Sequence, residues 1–115
     1  MKINYNLVKE TIYLHLFAGL SILATRFLWG EPIILTLVLI ILSAISLYIW
    51  NSKENIALFI FAGVWGTVAE SICILTGAWT YGLPFYIVPI WLPVLWGFAA
   101  LYLIQMHSIL KRALK

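Results

Sequence analysis

The sequence predicts an all-α fold: an integral membrane four-helix bundle, N-in and C-in, with an aromatic interfacial connection between the third and fourth helices. Three observations predict it. The chain is 64% hydrophobic and 10% charged, with a mean hydropathy of +1.05, whereas an ordinary soluble domain carries about 25% charged residues. Its apolar residues fall into four runs, each near the ~20 residues that cross a hydrocarbon core of about 30 Å. A chain of 115 residues has room for little beyond four such runs, so 1–115 reads as a single transmembrane domain with helices over about 11–28, 32–50, 56–76 and 89–110. Finally, the basic residues sit at the chain ends and in one loop rather than on one face. Despite the net charge of +3, this argues against nucleic acid and makes membrane lipids the expected partners.

The first ten residues, MKINYNLVKE, are polar and basic and lead into an apolar run that resembles the start of a signal peptide. No small-x-small cleavage site follows and three more spans come after it, so a retained first helix is expected. His15, Gly19, Ile22 and Arg26 recur in it at helical spacing and are expected to form its inward face. Trp29-Gly30-Glu31-Pro32 makes a tight turn, with Pro32 suited to the first turn of the next helix. In the second helix Thr36, Ser43, Ser46 and Trp50 share one stripe, the small-residue pattern that lets membrane helices approach closely and share hydrogen bonds. Asn51 to Asn55 reads as a short polar loop. The third helix carries Gly63, Gly66, Glu70, Cys73 and Gly77 at three- and four-residue steps, a smooth stripe for helix packing with a carboxylate in its middle. Cys73, the one cysteine, supports no disulfide and reads as a small packing residue.

The connection from Gly77 to Val88 is uncharged, aromatic and too apolar for a freely solvated loop. The fourth helix is expected to start near Pro89 or Pro93 and to end before Lys111, Arg112 and Lys115; Pro93 either starts it or kinks it. With four spans, Lys2, Lys9, Lys53, Lys111, Arg112 and Lys115 share one side and Arg26 stands alone on the other. The positive-inside rule then makes both termini cytoplasmic, in the cytoplasmic (inner) membrane of a prokaryote. The two outward turns share an aromatic-Gly-x-Pro pattern, Trp29 to Pro32 and Tyr81 to Pro84, for which ordinary turn chemistry is sufficient.

Glu70 is the residue most suited to chemistry. Counted from Ile56 at about 1.5 Å per residue it lies roughly 21 Å into the core, between midplane and outer edge. An ionised side chain there costs a few kcal/mol, so Glu70 is expected to be protonated or partnered. Arg26 is its candidate ion-pair partner if the first and third helices are neighbours. Trp29, Trp79, Tyr81, Tyr86 and Trp91 fall where an interfacial aromatic belt is ordinarily found. Together with the deeper Trp96, those of them that turn inward form an aromatic pocket floored by a carboxylic acid, suited to an apolar ligand or a developing cation. The resulting site is Glu70 as catalytic acid, with Arg26, Trp79, Tyr81, Trp91 and Trp96 as substrate-binding residues. His15 and His107 read as packing or interfacial histidines, with no ligand spacing, no metal and no cofactor implied. The chain has no Asp, nucleophile elbow, phosphate loop or paired carboxylates, which argues against hydrolysis by the usual constellations.

The run Glu70-Ser-Ile-Cys-Ile-Leu-Thr76-Gly77, followed by Trp79, Tyr81, Pro84 and Pro89-Ile90-Trp91, resembles a pattern in integral-membrane carotenoid-pathway proteins. In the carotenoid hydratase type a helix carries Glu and then Thr-Gly before an aromatic, proline-rich turn. The lycopene-cyclase domains are similar in another way, as small bundles with a Trp-x-aromatic element before a proline-led helix. Pro89 to Trp96 is similar to the Pro-x-Trp-Leu-x-x-Leu-Trp helix of small uncharacterised Trp-rich bacterial membrane families. The resemblance implies an acid role for Glu70 and pocket walls at Trp79 and Tyr81. Pro89-Ile90-Trp91-Leu92 stands where the cyclase domains carry paired carboxylates, which do not transfer. Three functions are compatible with this reading: binding or transforming an apolar isoprenoid- or lipid-like molecule around Glu70; proton-coupled transport by a small homo-oligomer using Glu70; and a non-enzymatic subunit, immunity or assembly factor binding a membrane partner protein through its glycine stripe.

Overall fold

The structure is a computed structural model and describes residues 3–115; Lys2, counted in the charge argument, lies outside the described residues. Four helices are present, α1 (Tyr5–Leu28), α2 (Pro32–Ile49), α3 (Lys53–Leu75) and α4 (Leu92–Ala113), each long and apolar enough to cross a membrane. Among the described residues there is no strand, only an isolated bridge between Phe85 and Val88.

Local chemistry sets the helix ends, and it moves several of them from their expected places. α1 starts at Tyr5 rather than near residue 11 because the Asn4 side chain accepts the Leu7 N–H at 3.0 Å, satisfying a donor that a bare first turn leaves free. Ser52 does the same for Asn55 at 3.0 Å, so Lys53 to Asn55, expected as loop, form the first turn of α3. There Glu54 faces the positive end of the helix dipole. Asn55 turns its side-chain amide back to the Trp50 carbonyl at 2.6 Å and closes the α2–α3 corner. α4 starts at Leu92 with Pro93 in its first turn, where a missing N–H costs nothing. Pro93 therefore opens the helix and does not kink it, and Pro89 lies in the turn before it.

α4 is the hub. It packs against α1, α2 and most extensively α3, while α1 also packs against α2; α3 has no comparable contact with α1 or α2. The bundle is thus open on one side, with α3 held by α4. Small residues make that contact. A Cβ added to Gly63 would stand 2.9 Å from the Pro93 carbonyl oxygen, one added to Gly66 would enter the Trp96 ring, and one added to Gly97 would meet Phe59 at 2.8 Å. Close backbone approach of this kind maximises dispersion contact, the main attraction between helices already surrounded by hydrocarbon.

Two apolar clusters fill the remaining interfaces. Leu7, Leu14, Trp50, Ile109 and Ala113 gather at the end that carries the termini, with Phe17 edge-on to Trp50. Leu35, Leu39, Trp91 and Leu92 form the other cluster. An ion pair between Arg112 and Glu10, both oxygens engaged at 2.6 and 2.9 Å, ties the end of α4 to the start of α1.

Two expected faces differ. On α1 the buried residues are Leu7, Leu14 and Ser21, because these heptad-spaced residues meet α2 and α4; of the expected face, His15, Gly19 and Ile22 line a cleft against α4 without being buried, and Arg26 is exposed away from it. On α2 the predicted Ser43, Ser46 and Trp50 are buried, but their hydroxyls do not bridge helices. Ser46 bonds the Leu42 carbonyl of its own helix at 2.8 Å, as Thr11, Ser21, Thr25, Thr36, Thr67 and Ser71 do with residues four positions back, a local route for satisfying hydroxyls in an apolar medium. Most of the outer surface is apolar, including Ile22, Ile33, Ile60, Phe61 and Val64.

Candidate functional site

α3 ends in a glycine-dependent lock. Gly77 has φ +90, the Gly77 N–H reaches the Ile74 carbonyl at 3.0 Å and the Ala78 N–H the Cys73 carbonyl at 2.9 Å. This paired pattern needs a left-handed residue just past the helix, a conformation that glycine adopts without strain. Gly77 is therefore a terminator and not the packing residue that its place on the stripe implied; space around its Cα is open. The chain then turns back over the helix ends, and Gly82 receives the edge of the Trp29 ring, so the two similar turns touch one another. Tyr86, at φ +64, forms the tip of a tight turn in which the Ile87 N–H meets the Phe85 carbonyl at 3.0 Å.

This return path delivers Tyr81 to Glu70. The Tyr81 hydroxyl donates to Glu70 Oε2 at 2.7 Å, and its ring stands edge-on to Trp91 with centroids 5.9 Å apart. Burial pushes the Tyr81 hydroxyl pKa well above its ordinary value, the Glu70 carboxyl adds to the shift, and the Trp79 indole opposes it. Around the pair lies a cleft of about 310 Å³ lined by Glu70, Tyr81, Trp91, Leu92, Leu95, Trp96 and Ala99. Trp91 is 6% exposed and so belongs to the wall and core together.

Four predicted site residues, Glu70, Tyr81, Trp91 and Trp96, thus come together. Two do not. Arg26 is exposed, with its guanidinium 5.3 Å from the Phe27 ring centroid. The Arg112–Glu10 bridge is the one ion pair among the described residues; since α1 and α3 are not packing neighbours, Arg26 does not meet Glu70. Trp79 is 45% exposed and outside the cleft lining. Leu92, Leu95 and Ala99 were missed, although their three- and four-residue spacing from Trp91 and Trp96 marks one face of α4. Of the packing residues, Gly63 and Gly66 sit in the α3–α4 contact, and Cys73 is partly exposed as a free thiol.

A second cleft was not anticipated. It has a volume of about 540 Å³, lies between α1 and α4, and is lined by His15, Ala18, Gly19, Ser21, Ile22, Leu95, Phe98, Ala99, Tyr102 and Leu103. His15 Nε2 lies 2.9 Å from the Tyr102 hydroxyl and Nδ1 2.9 Å from the Thr11 carbonyl. The carbonyl only accepts, so Nδ1 carries the proton and Nε2 accepts from Tyr102. No group of three or more metal-ligating side chains occurs among the described residues.

Fold and composition define the class: a multi-pass helical membrane protein with a carboxyl-bearing aromatic cleft at one end of its hub helix. No known protein family, curated protein or solved structure matches the chain.

Proposed function

We propose that this protein binds or transforms an apolar isoprenoid- or lipid-like molecule in the cleft around Glu70, in the outer half of a prokaryotic cytoplasmic membrane. Support comes from one arrangement: a carboxyl held by a tyrosine hydroxyl, without a basic partner among the described residues, at the edge of a cleft otherwise lined by Trp91, Leu92, Leu95, Trp96 and Ala99. Tyr81 occupies Oε2 and leaves Oε1 for the ligand. As the neutral acid, Glu70 hydrogen-bonds a ligand headgroup or gives its proton to a carbon–carbon double bond. In the second case the alkene π pair forms the new C–H bond, the neighbouring carbon becomes cationic, and the carboxylate left behind keeps the Tyr81 hydrogen bond. Indole rings lining the cleft supply π density for such a cation. The resemblance to carotenoid-pathway proteins points the same way through the Glu70 to Gly77 run.

The partner-subunit reading drew on the glycine stripe of α3, as did the subunit interface of the transporter reading, whose proton site is Glu70. Gly63 and Gly66 are engaged with Pro93 and Trp96 of the same chain, which weakens the stripe as an argument for a contact with a second protein. The test is native mass spectrometry of the protein extracted gently from its own membrane, with organic extraction of what co-purifies. The expected result is a bound apolar molecule, lost in Glu70→Gln and in Trp96→Ala while helicity and membrane insertion persist. An empty protein, or a second protein in fixed ratio, overturns the proposal.

A further inference from the structure

The two clefts are not separate features. Leu95 and Ala99 line both, one on the α3 side of α4 and one on the α1 side. α1 and α3 are not close packing neighbours, and no residue of α2 lines either cleft. Together they make one open furrow along α4 from Trp91 to Leu103, about 18 Å at 1.5 Å per residue. Its lining is apolar except at three places: the Glu70–Tyr81 pair at the outer end, the His15–Tyr102 pair, and Ser21, whose hydroxyl is spent on the Phe17 carbonyl of its own helix.

We infer that the furrow holds one elongated ligand, a linear polyprenyl- or long-acyl-type molecule, with its polar end at Glu70 and its chain running over Leu95 and Ala99 toward His15 and Tyr102. This inference rests on the function proposed above and adds the ligand's length and path. A compact ligand would use the outer cleft alone and leave the larger, more apolar half of the furrow without a role. The position of Gly19 fits a chain passing beside it: a Cβ there would meet nothing within 4 Å, so the cleft wall stands back from α1 at this point.

The experiment uses the purified full-length protein in detergent and two isoprenoid alcohols as probes, ten-carbon geraniol and twenty-carbon geranylgeraniol, with occupancy read by native mass spectrometry. Wild type is expected to hold the longer alcohol at least about tenfold more tightly, through the dispersion contacts its extra chain makes with the walls of the inner cleft. Gly19→Leu and Ala18→Phe each add bulk to the inner cleft at residues that do not line the Glu70 cleft. Each is expected to bring geranylgeraniol down to the geraniol level and leave geraniol unchanged, whereas Glu70→Gln weakens both. If both alcohols bind in a Glu70-dependent way but Gly19→Leu and Ala18→Phe leave the length preference intact, the continuous path is wrong and the outer cleft stands alone. If geranylgeraniol binding is lost in Gly19→Leu and indifferent to Glu70→Gln, the inner cleft is an independent groove for membrane lipid and the inference is overturned. Failure of wild type to hold either alcohol overturns the proposed function itself.

Discussion

At Glu70 a single hydrogen bond from Tyr81 replaces the ion pair that charge counting favours. An uncharged partner satisfies one carboxyl oxygen without neutralising the group's ability to give or take a proton, which a guanidinium 3 Å away would suppress by holding the carboxylate. The effect on Tyr81 is measurable. Burial and the adjacent carboxyl raise its pKa, so the folded protein keeps this proton at a pH where an unfolded chain, with tyrosines near about 10, has released it. The contribution to stability is complete below about pH 10 and is lost as pH rises through the higher folded value. In an alkaline titration followed by tyrosinate absorbance, Tyr81 is expected among the last of the tyrosines to ionise. Tyr81→Phe should delete that late step and leave the earlier ones in place; loss of an early step instead would mean that the hydroxyl is not held by Glu70.

Among the elements, three glycines that look alike in sequence behave differently. Gly63 admits the Pro93 carbonyl, so Gly63→Ala must push backbone from backbone and is expected to cost about 1–3 kcal/mol, the usual scale of overpacking. Gly77 stands in open space but at φ +90, so Gly77→Ala should cost about 1–2 kcal/mol through its left-handed backbone alone. Gly19 has neither constraint; Gly19→Ala should leave stability unchanged or raise it by up to about 1 kcal/mol from helix propensity. Detergent-solubilised unfolding followed by circular dichroism ranks the three: Gly63→Ala as stable as Gly19→Ala would contradict the α3–α4 contact, and Gly77→Ala as stable as Gly19→Ala would contradict the left-handed end of α3. The Arg112–Glu10 bridge is largely exposed and belongs with surface pairs worth about 0–1 kcal/mol; its value lies in holding the ends of α1 and α4 together.

For the whole molecule, the arrangement of helices around α4 decides what the clefts are. With Cys73 replaced by Ala, the pair Ile60→Cys and Val94→Cys, which flank a small cleft between α3 and α4, is expected to join through a short bis-maleimide. Arg26→Cys with the native Cys73 should not. The reverse result would place α1 beside α3 and close the furrow. Orientation is checked separately. A reporter active only outside the cytoplasm is expected to be silent when fused after Lys115 and active when inserted at Gly82, on the positive-inside argument; activity at the C-terminus would invert the protein and move Glu70 to the inner half.

By itself the sequence determined the all-helical class, the number of helices and the carboxylate beside which a cleft forms. Apolar runs of spanning length, glycines at helical spacing and one carboxylate within an apolar segment are properties of a single stretch of chain, and local periodicity reports them. It also placed Trp91, Trp96 and Tyr81 near Glu70, because all four lie on adjoining segments. Helix starts at Tyr5 and Lys53 were legible only in part, since an Asn or Ser reads equally as loop or cap until its side chain is seen to accept a backbone N–H. Tertiary structure decided which helices are neighbours, and with that the fate of Arg26, the exposed face of α1 and the second cleft between His15 and Tyr102, residues 87 positions apart. The physical reason is that periodicity gives each helix a face but not a partner: in an apolar medium several packings bury similar surface, and close contacts at Gly63, Gly66 and Gly97 select the one that leaves α1 and α3 apart.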